Sequence, residues 1–295
     1  MPDLVSKVRL ASGRTVAVHD LGDGVASGGP PIVLCHAAPG AGAFDPDPAE
    51  TSKRGVALIA PDRPGYGGSE PVGSGEWASV DRAAEDIAEV LGERGIAKVG
   101  VAGWSAGGRV AMALAARHPD LVERVAVIAT PAPHEEVPWI PPEQNAGLEA
   151  LRGKPPEAVH GALGEMLSAM VPSDPRAPDA IDLIGGGTGD EAALARPGVR
   201  GRLADMLAAA FTQGANGIAA DIAGYGLRPW GFSPADVRAK ALLIYGDADP
   251  IAGSRHGSWW QRHLPDARLE VAPGAGHLVV VPLWQRVLSF LAPTR

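Results

Sequence analysis

Cysteine is nearly absent from these 295 residues: Cys35 stands alone. A single cysteine excludes an intramolecular disulfide and a thiolate zinc cluster, so the fold is expected to need neither an oxidising compartment nor that metal. No apolar run approaches the ~20 residues of a bilayer-spanning helix. Met1 to Ser12 lacks an apolar h-region and a small-residue cleavage site, so no signal peptide is expected and the default location is cytoplasmic. No basic stripe offsets the formal net charge of -8, which speaks against nucleic acid as a partner. His-Glu-x-x-His is missing, and no dinucleotide fingerprint follows a first strand. Gly185 to Gly189 lacks the Lys-Ser/Thr ending and preceding strand of a phosphate loop, and reads as a flexible loop. No metal and no cofactor is therefore implied. The expected partner is a small molecule, neither nucleic acid nor membrane, and the oligomeric state stays open.

What is present is ordinary for a globular chain, with 45% hydrophobic and 20% charged residues. Short apolar runs alternate with helical patterns. Arg14 to His19 alternates like a half-buried strand. Pro31 to His36 and Gly55 to Ala60 are continuous, as strands buried on both faces are. Lys98 to Ala102, Val125 to Ala129, Ala241 to Tyr245 and Arg268 to Val271 follow. Val80, Ala84, Ile87 and Leu91 share one helical face, and a last helix is expected from Pro282 to Leu291. Such alternation predicts an α/β fold, a mostly parallel sheet with helices on both faces. Between Thr130 and about Pro234 the strand signal disappears. Two helical patterns, around His160 to Met170 and Gly201 to Phe211, make this a helical insertion. The expected organisation is a core of 1–130 and 235–295 with a helical cap of 131–234.

The stretch that carries chemistry is Gly103-Trp104-Ser105-Ala106-Gly107. It follows the strand Lys98 to Ala102 and precedes an alanine-rich helix, Arg109 to Arg117, which is the context of a nucleophile elbow. A serine hydroxyl needs a histidine base and a carboxylate to orient it. Of eight histidines, His277 fits, because a glycine turn places it past the strand Arg268 to Val271. His118 reads as a helix-end dipole partner, and His256 and His263 as residues of a surface helix. His134 and His160 fall in the insertion, and His19 in an early strand. Asp249, farther past the strand Ala241 to Tyr245, is preferred as the acid over Asp247, which suits a turn cap. Glu135 and Glu136 are weaker candidates. The N–H groups of Ala106, at a helix start, and of Ala38, in the loop after Pro31 to His36, are the expected oxyanion donors.

These residues closely resemble the α/β-hydrolase superfamily, in its serine branch with a helical cap. His36-Ala37-Ala38-Pro39-Gly40 is similar to that family's His-Gly-x-Pro loop, with alanine in place of the second-position glycine. Asp62 to Ser69 is similar to its Asp-x-Pro-Gly-x-Gly-x-Ser loop. Gly103 to Gly107, Gly246 to Asp249 and Gly276-His277 correspond to its elbow, acid and histidine loops. The resemblance implies a triad of Ser105, Asp249 and His277 with a cap over the serine, acting as an esterase on a small molecule. Other reactions on the same triad stay open: amide or C–C hydrolysis, acyl transfer, cyclisation, a cofactor-free oxygenase, or a receptor with vestigial turnover. Trp139, Tyr225, Trp230 and Phe232 either line the pocket or form the cap's own core, and Trp104 either touches substrate or packs beneath the elbow.

Overall fold

In the computed structural model, which describes residues 4–293, the strands form one sheet. They are β1 (Leu4–Arg9), β2 (Thr15–Leu21), β3 (Pro31–Cys35), β4 (Ala57–Pro61), β5 (Val99–Trp104), β6 (Val122–Ile128), β7 (Lys240–Gly246) and β8 (Ala267–Ala272). Their order is β1-β2-β4-β3-β5-β6-β7-β8. β2 pairs antiparallel with β1 and with β4, and every other pairing is parallel. This is the α/β fold expected, with β1 added at the edge. The outermost positions of the expected core, 1–3 and 294–295, lie outside the described residues.

Alternation on β3 shows why its run is continuously apolar. Ile32 and Leu34 point into one core, with Trp284 and Leu288 of the helix Trp284–Leu291. Val33 and Cys35 point into the other, with Ile87 and Leu91 of the helix Val80–Glu93 and with Val110 and Leu114 of Ala106–Arg117. Each face is sealed by helices, so neither face needs polar residues. Ser79 starts its helix by accepting a hydrogen bond from the Arg82 N–H.

Between β6 and β7 the chain makes no strand among the described residues. The helices Pro156–Ser168 and Val199–Ala210 lie where the periodicity places them. Pro142–Glu149 and Asn216–Gly226 were not legible. The second carries three glycines, which lower its helix propensity. It is held by packing: a Cβ at Gly217 would sit 2.4 Å from the Tyr66 ring. No helix among the described residues is long and apolar enough to cross a membrane.

Candidate active site

Ser105 lies between the end of β5 and the first turn of Ala106–Arg117, at φ 54° and ψ -122°. That left-handed backbone costs a non-glycine residue of order 1–3 kcal/mol, and the surroundings enforce it. The Ser105 N–H donates to the Ile128 carbonyl of neighbouring β6 at 2.8 Å. A Cβ at Gly103 would meet the Gly107 carbonyl oxygen at 2.5 Å, and one at Gly107 the Cys35 carbonyl oxygen at 2.1 Å. Glycine at both positions is what lets strand, turn and helix approach this closely.

The structure brings Ser105, His277 and Asp249 together. His277 Nε2 is 2.9 Å from Ser105 Oγ, and Nδ1 is 2.7 Å from Asp249 Oδ2. Asp249 Oδ1 accepts the N–H groups of Ile251 and Ala252, which fixes the carboxylate plane. Burial works to raise the Asp249 carboxyl, but the charge and hydrogen bond of His277 and the two backbone donors outweigh it and hold it below its ordinary 3.8. The ionised carboxylate therefore accepts a hydrogen bond from Nδ1–H, which leaves Nε2 free to accept from the serine hydroxyl. Asp247 instead reaches across to accept the Gly274 N–H. Glu135 and Glu136 are exposed, away from this cluster.

Ala38 and Ala106 line one cavity of about 140 Å³ with Ser105 and His277. Neither N–H donates to a backbone carbonyl among the described residues. The loop carrying Ala38 is anchored from below. His36 Nδ1–H donates to the Ala37 carbonyl, and Nε2 accepts the Arg63 N–H. Burial, then the nearby Arg63 charge, holds His36 neutral, well below its usual range. The Arg63 guanidinium donates to the carbonyls of His36 and Ala37 and also grips Asp221 of Asn216–Gly226. The alanine at position 37 thus fits the loop through its carbonyl. Asp62 closes the neighbouring loop by accepting the N–H groups of Gly42 and Gly68.

The four tryptophan and phenylalanine candidates separate. Trp139 borders the Ser105 cavity with Tyr225, Leu183 and Ile184. Trp104 does not line it: its ring is buried beneath the elbow against Phe44, and Nε1 donates to the His277 carbonyl. Trp230 and Phe232 stack on each other and border a second cavity of about 400 Å³ instead. Trp230 also stacks on Trp260, and its Nε1 donates to the Tyr225 carbonyl. His256 is not a surface residue. It is fully buried, and its Nδ1 accepts the Ala132 N–H.

Two residues that sequence reasoning passed over sit at this site. Asp190, buried, accepts the Leu278 N–H at 2.7 Å and the Gly186 N–H at 3.1 Å. The Gly189 carbonyl accepts the Gly276 N–H. The glycine run is therefore fitted against the histidine loop rather than a flexible loop. A Cβ at Gly189 would come within 2.8 Å of the Gly276 nitrogen. Arg109, in the same helix as Ala106, borders both cavities and is 1% exposed. Its only sequence signal is a cation near the start of an alanine-rich helix.

The alpha/beta hydrolase fold family matches residues 30–281. The chain belongs to that family. Among similar members, a pimeloyl-[acyl-carrier protein] methyl ester esterase of Chromobacterium violaceum is 27% identical over 264 residues, covering 84% of this chain and 87% of that protein. A 2-hydroxymuconate semialdehyde hydrolase of Pseudomonas putida is 26% identical over 292 residues, covering 96% and 92%. A solved hydrolase from Pseudomonas aeruginosa PA01 shares the fold, with a TM-score of 0.71 at 23% identity over 98% of each chain.

Proposed function

We propose that this alpha/beta hydrolase is a serine esterase that cleaves small carboxylic esters through an acyl-enzyme. The observation that carries the reading is His277 bridging Ser105 and Asp249 at 2.9 and 2.7 Å. Ser105 Oγ attacks the ester carbonyl as His277 Nε2 takes its proton. Asp249 holds the tautomer and stabilises the imidazolium that forms. The N–H groups of Ala38 and Ala106 receive the oxyanion. His277 gives the proton to the departing alkoxide, then activates the water that releases the acid. An ester is favoured because an alkoxide leaves more readily than an amine, and the methyl ester esterase relative supports the same bond. Residues 131–234 act as the cap: Pro131, Trp139, Leu183, Ile184 and Tyr225 come from this segment and border the Ser105 cavity. A cytoplasmic setting accords with one buried, unpaired cysteine.

A panel of p-nitrophenyl esters of graded acyl length tests the reading. Turnover is expected to be fastest for short acyl groups that fit the 140 Å³ cavity. Turnover of an aminoacyl anilide with none of the esters would contradict it. Asp190 is a positioning residue in this scheme, acting through the histidine loop. Asp190→Ala is expected to lower kcat by roughly 10–100-fold, the scale of a misplaced catalytic group. KM should change less, and steady-state kinetics separate the two.

A further inference from the structure

Arg109 is a buried cation without a counter-ion. No ion pair or hydrogen bond engages its guanidinium among the described residues, and Nε and Nη2 are without partners. The other deeply buried arginines are matched by carboxylates: Arg14 by Asp86, and Arg63 by Asp221. Three ring faces stand around Arg109, of Tyr225 at 4.5 Å, Trp230 at 5.2 Å and Trp139 at 5.4 Å; the charge of Asp221 also reaches it, but that carboxylate is bonded to Arg63 and Tyr66. Such contacts offset part of the cost of taking a cation out of water, but they do not neutralise it. Burial lowers its pKa to about 10, so it remains charged at neutral pH.

Its position relates this charge to the reaction. Arg109 lies four residues after Ser105, near the start of the helix that begins at Ala106. It borders the cavity at Ser105 and the larger one beside it. Arg152 and Arg228 also border the larger cavity, as do Glu135 and Glu149. Glu149 is gripped by Arg152, and Glu135 is exposed. The unpartnered edge, Nε with Nη2, is the edge by which Arg63 holds both oxygens of Asp221 in this protein. That fork matches a carboxylate.

We propose that Arg109 binds a carboxylate carried by the substrate, so that the preferred esters are half-esters of short dicarboxylic acids. The ester carbonyl sits at Ser105 and the free carboxylate at the guanidinium. Nε and Nη2 are closed to water in this structure. Binding therefore requires that Trp139 and Tyr225, partly buried and bordering both cavities, turn aside. The substrate class rests on the esterase reading; the anion site itself does not.

The test compares monomethyl esters of succinic to pimelic acid with methyl esters of monocarboxylic acids of equal length. The native protein is expected to favour the half-ester at one length by roughly 10–100-fold in kcat/KM, the scale of a hydrogen bond to a charged group. Arg109→Met should bring that ratio to about one. Arg109→Lys, a cation without the fork, should give an intermediate ratio. Each ratio is taken within one protein, so a general loss of stability does not imitate it. A native ratio near one at every length overturns the inference, even where Arg109→Met does not fold. A ratio that survives Arg109→Met overturns it too. If neither series is hydrolysed, the esterase reading fails, and calorimetry with free glutarate and adipate decides the inference. Binding by the native protein that weakens in Arg109→Lys supports it, and no binding overturns it.

Discussion

Ser105→Ala is expected to lower kcat/KM for short p-nitrophenyl esters by about 10⁴–10⁶-fold, while the variant stays folded. Removing Oγ removes the nucleophile, and nothing else at the turn replaces it. The Cβ stays, so the strained backbone at φ 54° is no worse than with serine. What remains is hydrolysis by water aided by the donors at Ala38 and Ala106. In the proposed mechanism Ser105 and His277, joined at 2.9 Å, act as one unit. Adding His277→Ala to Ser105→Ala should therefore cost little more, because their contributions are not additive. A single variant that keeps a tenth of native activity would place the chemistry elsewhere.

Asp249→Asn should cost about 10⁴-fold in kcat with the architecture intact. In the native site, Nδ1–H donates to Asp249 Oδ2 and leaves Nε2 as acceptor. An asparagine oriented by the same backbone donors, Ile251 and Ala252, keeps its oxygen on them and turns its NH2 toward Nδ1. The imidazole then carries its proton on Nε2, facing Ser105, where it cannot accept one. The substitution also carries a pH signature. The Asp249 carboxyl is held below its ordinary 3.8 in the folded protein. Its contribution to stability is complete above about pH 4 and is lost as pH falls through the folded value. Native protein should be the more stable above about pH 4, by an amount that shrinks on further acidification. Denaturant unfolding of both proteins at several pH values measures this.

The parts of the fold legible in the sequence are those whose cause is local. The elbow announces itself by its compact strand-turn-helix pattern, with Gly103 demanded by the backbone of Gly107 and Gly108 within the turn. The strands from β3 to β7 show as apolar runs because both faces are covered. β1 was not legible: an edge strand with Val5 half exposed has little apolar signal. The remaining gaps have a long-range cause. Asp190 reaches Leu278 across 88 positions, and Arg63 reaches Asp221 across 158. Arg109 is buried by rings that arrive from the segment after β6, so its helix alone suggests a solvent-facing cation. Trp104 and His256 fit the same pattern, since only the assembled fold decides whether a side chain beside a loop faces a cavity or the core.

These contacts give the segment 131–234 two structural roles. It walls the pocket through Trp139, Leu183, Ile184 and Tyr225. It also braces the catalytic loops, through Asp190 at the histidine loop and Asp221 at the loop that carries Ala38. Changes in this segment should therefore alter turnover as well as substrate choice.

The most direct measurement is to label the native protein with a fluorophosphonate and locate the adduct by peptide mass mapping. One adduct is expected, on Ser105, and none in Ser105→Ala. Undiminished labelling of Ser105→Ala, or an adduct on another residue of the native protein, would contradict the proposed mechanism.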